Sequence, residues 1–280
     1  MHKLSHFVLI VSILLSISFV QASDSCSLKE VPPDKIRSGL QASRGLEKWL
    51  DQSGADVLVI ARHGQSLAQY NIQFSHAAFV KKNPKNGRWV VYHQLNECPK
   101  DSSSLYEEGL GMFFMNNPQS FKAAALVPEP KIQKQLASLL EQPEVLKTVY
   151  DSRYNAAAYP FTLENQNSNG WIIELFAKAV AEDQEITNRK QAQQWLEQAH
   201  YQPSVVKIGR AKRSLAHAFV GNVSLTGHPK NLLNKGQVWL NSADSVLNFM
   251  ARYSVPVKNC VQGSLSKGVC MIDTSIAAID

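Results

Sequence analysis

Two short runs constrain this chain more than any other feature: Phe74-Ser75-His76-Ala77-Ala78-Phe79-Val80 and Arg88-Trp89-Val90-Val91-Tyr92-His93-Gln94-Leu95. Both are rich in aromatic or β-branched residues, and Asn83-Pro84-Lys85-Asn86-Gly87 between them is strong turn chemistry, so the pair predicts a β-hairpin. Period-2 alternation puts Ser75, Ala77 and Phe79 on one face and Phe74, His76, Ala78 and Val80 on the other. His93 shares a face with Val91 and Trp89. Pairing of the strands would bring the imidazoles of His76 and His93 toward each other, although the register is not set by the sequence. Two readings follow. One is a base with its orienting partner; the other is a buried, hydrogen-bonded histidine and a second one at a strand end.

The second informative stretch is Glu164-Asn165-Gln166-Asn167-Ser168-Asn169-Gly170, where turn-prone polar residues give way abruptly to Trp171, Ile172, Leu175, Phe176, Ala179 and Val180. That spacing is a helix face, and it puts Ser168 at the start of a largely buried helix. Asn167 or Ser168 suits the N-cap position. A nucleophile at the same place would feel the positive end of the helix dipole and free backbone N–H groups, which favour developing negative charge.

At the N-terminus, Lys3, the apolar stretch Phe7 to Val20 and Val20-Gln21-Ala22 have the anatomy of a secretory signal peptide cleaved after Ala22. The apolar stretch is short for a membrane span. The expectation is a periplasmic or secreted protein made of residues 23–280. The four cysteines, Cys26, Cys98, Cys260 and Cys270, all follow the leader; in an exported chain that favours disulfides, with Cys260–Cys270 and Cys26–Cys98 the preferred pairs. No C-x-x-C or H-E-x-x-H spacing points to the common zinc sites, and no cofactor motif stands out. The net charge of +6 is spread thinly, so groups such as Lys81-Lys82 and Arg210 to Arg213 read as solvated faces and no nucleic-acid partner is expected.

Further elements are predicted in order. A helix covers Pro32 to Gly54, a buried strand Val57 to Ala61, a helix Leu105 to Met115, a strand Phe121 to Val127 and a helix Ile132 to Leu140. Tyr150 to Phe161 reads as one more strand. Thr187 to Ala199 and Asp244 to Arg252 read as helices, and Val205 to Ile208, Ala218 to Leu225 and Gln237 to Leu240 as strands. His63, His217 and His228 sit near turns and read as structural or surface residues. The fold class expected is α+β, a central antiparallel sheet with packed helices.

The order R-x-G, then S-H-x-x-F, then a strand bearing a second His, then N-S at the head of a helix resembles circularly permuted papain-like proteins, relatives of NlpC-type peptidases and of lecithin:retinol acyltransferase. The whole mature chain also resembles a family of exported bacterial proteins, domain of unknown function twenty-one forty-five. Ala61-Arg62-His63-Gly64-Gln65, Tyr92-His93-Gln94-Leu95-Asn96, Ala158-Tyr159-Pro160-Phe161 and Gln166-Asn167-Ser168-Asn169 carry that likeness. The papain-like resemblance implies a core over about residues 55–182, with 183–280 an extension of the same domain. It also implies a catalytic set in which His76 is the general base, His93 its orienter and Ser168 stands in the usual place of a cysteine nucleophile. The implied activity is cleavage of amides or esters, or acyl transfer, on cell-envelope peptide or lipid. Serine for cysteine leaves a second implication open: a catalytically inactive envelope-binding or assembly protein using the same cleft. A hydroxyl needs a well-placed base and an oxyanion site, where a thiol readily becomes thiolate.

Overall fold

The computed structural model describes residues 31–64, 66–97, 100–115, 118–209, 222–257, 260, 268–272 and 274. Its centre is a sheet of six strands: Val57–Arg62 (β1), His76–Lys82 (β2), Trp89–Asn96 (β3), Ser103–Gly109 (β4), Ala123–Leu126 (β5) and, from the far end of the chain, Val269–Ile272. Their order is β4-β3-β2-β1-β5 followed by Val269–Ile272, and every pairing is antiparallel. The β2–β3 connection is the expected turn, closed by an Asn83–Arg88 backbone bond and by Gly87 at φ 70°, a left-handed conformation that glycine adopts without a Cβ clash.

Eight helices pack around this sheet among the described residues: Pro33–Gln52 (α1), Leu110–Phe113 (α2), Pro130–Leu140 (α3), Pro143–Lys147 (α4), Ser168–Val180 (α5), Arg189–Gln198 (α6), Lys230–Asn234 (α7) and Ala243–Met250 (α8). The strands β6 (Ser204–Lys207) and β7 (Gln237–Leu240) form a separate two-stranded ribbon, so Val269–Ile272 becomes β8. Alternation along the strands sorts the core into two layers. On one face Ala42, Leu46, Trp49 and Leu50 of α1 and Phe113 of α2 meet Leu58, Ile60, Ala78, Val80 and Val91. On the other, Ile132 and Leu136 of α3, Trp171, Ile172, Leu175 and Phe176 of α5 and Val246 and Leu247 of α8 meet Val57, Val59, Ala77 and Phe79. The architecture is thus mixed α/β, a central antiparallel sheet with helices on both faces.

α5 is buried along most of its length rather than on one stripe, as its sequence suggested. It runs under the sheet between α3, α6 and α8, and its N-terminus abuts the start of β2.

Several expectations are corrected. The helix expected over Leu105 to Met115 is strand β4 up to Gly109, and only Leu110–Phe113 is helical. β4 is an edge strand with a half-exposed pattern, so it lacks the apolar alternation that marks a strand, while its pairing with β3 decides the conformation. Phe74 lies in the core layer of Ala77 and Phe79 rather than beside His76. The chain before His76 is not yet a strand, because the N–H groups of Gln73 and Phe74 donate to the Asp244 carboxylate. Residues Tyr150 to Phe161 form a loop with isolated bridges to Ser102 and Gln166 rather than a strand. Asn222 to Leu225 is irregular; residues 218–221 lie outside the described ones, as does His217. β8 was not foreseen, and it brings the end of the chain into the main sheet.

The expected leader, and Cys26 and Cys98, also lie outside the described residues. Cys260 and Cys270 are paired at disulfide distance, with Cα atoms 5.0 Å apart. Among the described residues no helix is long and apolar enough to cross a membrane.

Candidate functional site

The register of the sheet explains why two histidines seventeen positions apart meet. Arg62 on β1 is directly opposite His76 on β2. The β2–β3 ladder runs Phe79↔Tyr92 and, continued by one residue, sets Ala78 opposite His93, so His76 is the diagonal neighbour of His93 on the same face. On the next strand Val91 pairs with Glu108 and His93 with Tyr106, which makes Glu108 the diagonal neighbour of His93 in turn. Four polar side chains therefore cross four strands in one line, on the face where Phe113 of α2 packs against both imidazoles and beneath the Arg62 guanidinium.

Ser168 joins this line from the end of the sheet. Its Oγ lies 3.2 Å from His76 Nδ1, His76 Nε2 lies 2.9 Å from His93 Nδ1, and His93 Nε2 lies 3.0 Å from Glu108 Oε1. The last contact is at ion-pair distance but off the angle of a well-formed hydrogen bond, and neither atom has another partner. The three side chains singled out in the sequence are thus linked in series, Ser168 to His76 and His76 to His93.

The helix cap is a separate residue. Asn167 Oδ1 accepts the Gly170 N–H at 2.7 Å, so the Ser168 hydroxyl is not spent on capping and turns toward His76 instead. Ser168 is the first helical residue, and its own N–H and that of Asn169 belong to the first turn, whose donors have no intrahelical acceptor.

Asn169 fixes the approach of helix to strand. Its Oδ1 accepts the Ala77 N–H and its Nδ2 donates to the Ser75 carbonyl, both at 2.9 Å, so one amide grips the backbone on either side of His76. The Asn241 carbonyl accepts from both Asn167 and Asn169, and Asp244 holds the two residues before Ser75. None of Asn169, Asn241, Asp244, Arg62 or Glu108 was assigned a role from sequence. The S-H and N-S-N neighbourhoods marked the place, but not these partners.

Exposure is lowest at the middle of the line. Ser168 and His76 keep 6% and 8% of their surface, His93 none. Burial, with the Arg62 cation and His93 adding to it, holds His76 well below the ordinary imidazole range. Burial likewise lowers His93, opposed by Glu108. Both rings are therefore neutral at pH 7. Burial also pushes the Arg62 guanidinium down to about 10, so it stays charged; its Nη1 donates to the Phe113 carbonyl at 2.5 Å while its Nε has no partner. The Tyr154 phenol is a further neighbour of Ser168; its pKa is raised by burial, and its hydrogen bond with Ser168 opposes that rise.

The other histidines are elsewhere. His63 Nδ1 faces the Ser120 hydroxyl at 2.8 Å, and His228 Nε2 donates to the Trp239 carbonyl at 2.9 Å. A surface hollow of about 210 Å³ lined by Lys81, Lys85 and Tyr92 lies at the turn end of β2, the opposite end from His76. Among the described residues no group of three or more His, Cys, Asp or Glu side chains is placed to hold a metal ion.

No curated protein and no solved structure matches the chain. A family model described as an uncharacterized protein conserved in bacteria, DUF2145, matches residues 49–250, a span that takes in Arg62, His76, His93, Glu108 and Ser168. The chain belongs to this bacterial family.

Proposed function

We propose that this protein is an exported serine-dependent hydrolase or acyltransferase of permuted papain-like type, acting on amide or ester bonds of cell-envelope peptide or lipid. The observation that carries the reading is the 3.2 Å approach of the Ser168 hydroxyl to a buried neutral imidazole that is itself backed by a second one. In this reading His76 Nδ1 takes the Ser168 proton as Oγ attacks the substrate carbonyl. The first-turn N–H groups of α5 face the oxyanion that develops. His76 then gives the proton to the leaving group, and water or an acceptor alcohol, deprotonated by the same ring, releases the acyl group. His93 holds the ring of His76 in place. The arrangement of the parts supports the papain-like assignment: a histidine on one strand, a polar partner on the next, and the nucleophile at the head of a helix packed beneath the sheet.

A second reading has its own support. Ser168 and His76 are nearly closed to solvent, which suits a scaffold that binds envelope peptide or lipid without cleaving it. Incubation of the purified mature protein with envelope extracts, followed by mass spectrometry of the products, separates the two. New products that vanish with Ser168→Ala support the enzyme, and identical profiles for both proteins remove Ser168 from catalysis.

A further inference from the structure

We infer that Glu108 is a positioning residue that sets the direction of every proton in the line from Ser168 to β4. The inference rests on the proposed role of His76 as base and adds a fourth member to that set.

The chemistry follows from donor and acceptor inventories. An ionised carboxylate only accepts. Facing His93 Nε2 at 3.0 Å, it selects the tautomer of His93 that carries its proton there. His93 Nδ1 is then a lone pair, and the only hydrogen bond it can form across the 2.9 Å gap is with a proton on His76 Nε2. That leaves His76 Nδ1 as a lone pair aimed at Ser168 Oγ, so the hydroxyl donates. Reversing any one link reverses all of them: with a proton on His76 Nδ1, the ring would donate to Ser168 and could not act as its base. One acceptor-only group at the far end of the line thus decides whether Ser168 meets a base or a donor.

Two observations show that this carboxylate is placed rather than incidental. Glu108 sits on the edge strand with its side chain 14% exposed, and its Oε1 has no other partner. Its charge also balances the Arg62 guanidinium, the other charged group beside the two imidazoles. Arg62 disfavours a proton on either ring, whereas Glu108 favours one on His93.

The test is the tautomer of each imidazole, read by long-range 1H–15N correlation at pH 7.5 on the full mature chain, with His76 and His93 assigned by single His→Asn variants. The expected result for the wild type is a proton on Nε2 and a lone pair on Nδ1 in both rings. Glu108→Gln keeps an acceptor oxygen but adds N–H donors that can serve the reversed pattern, so the preference for the wild-type one should weaken. Glu108→Leu removes the acceptor and should give mixed or reversed tautomers, with the rate of Ser168 labelling by a small fluorophosphonate lowered about 100-fold, the lower end of what a general base supplies. A wild-type proton on Nδ1 of either ring, or tautomers unchanged by Glu108→Leu, overturns the inference. The wild-type measurement decides even if the leucine variant does not fold. Nε2-protonated rings with no labelling of Ser168 leave Glu108 in its role and count against the hydrolase. Labelled Ser168 with Nδ1-protonated rings does the reverse.

Discussion

The head and the middle of α5 each bury a polar cluster, and they are built on opposite plans. Midway along the helix the Glu174 carboxylate, 1% exposed, receives both Nε and Nη2 of Arg189 and the amides of Gln166 and Gln193, all within 2.9–3.1 Å. Burial raises its pKa, and those partners oppose the rise. Arg189 in turn donates to the carbonyls of Thr162 and Asn165, so the cluster ties the loop before α5 to its own helix. At the head of the helix the groups stand in single file, and Arg62 Nε, His93 Nε2 and Glu108 Oε1 lack a well-formed partner. A saturated cluster has nothing left to offer a ligand and acts as a staple. An under-satisfied line costs stability where it stands and keeps its proton positions dependent on its neighbours.

The largest expected effect belongs to the staple. Glu174→Ala leaves Arg189 as a buried cation without its main partner, which should cost about 3–5 kcal/mol; urea unfolding monitored by circular dichroism reads it, and a loss below about 1 kcal/mol would erase the contrast between the two clusters. Acid comes next. Both folded-state imidazole pKa values are depressed, so above the unfolded value of 6.5 the rings are neutral in both states and cost nothing. As pH falls below 6.5 the unfolded chain takes up protons that the native state refuses, and stability drops by up to about 3 kcal/mol per pH unit for the pair. His76→Asn should flatten that slope between pH 6.5 and 5.5; an unchanged slope would place the titration elsewhere.

Asn169→Ala removes the grip on Ser75 and Ala77 and leaves the buried Ala77 N–H without its acceptor. About 2 kcal/mol should be lost, and the His76 ring signals should broaden or shift, whereas a purely global destabilisation would leave them in place below the unfolding transition. The smallest change in stability is expected for Ser168→Ala, about 1 kcal/mol or less, because the cap is made by Asn167. A loss as large as that of Asn169→Ala would mean that the hydroxyl is a structural element.

What could be read from the sequence divides along the same line. The hairpin, the buried strand β1 and the abrupt polar-to-apolar switch at Ser168 have local signatures, so His76, His93 and Ser168 could be singled out before any coordinates. Glu108 could not, because Ser103-Ser104-Leu105-Tyr106-Glu107-Glu108-Gly109 has no period-2 pattern and becomes a strand only by pairing with β3. Asn169 and Asp244 escaped for a related reason. Their partners are backbone groups 92 and 170 residues away, and a side chain that satisfies distant backbone leaves no local pattern. The diagonal meeting of the imidazoles needed the register, which the turn residues alone left free.

The most direct measurement is the intact mass of the mature protein after exposure to a small fluorophosphonate, with peptide mapping of the adduct. The expected result is a single phosphonyl adduct on Ser168 of the wild type, absent from Ser168→Ala and strongly slowed in His76→Ala. An unlabelled Ser168, or labelling that proceeds equally well without His76, would contradict the proposal that this histidine activates that hydroxyl.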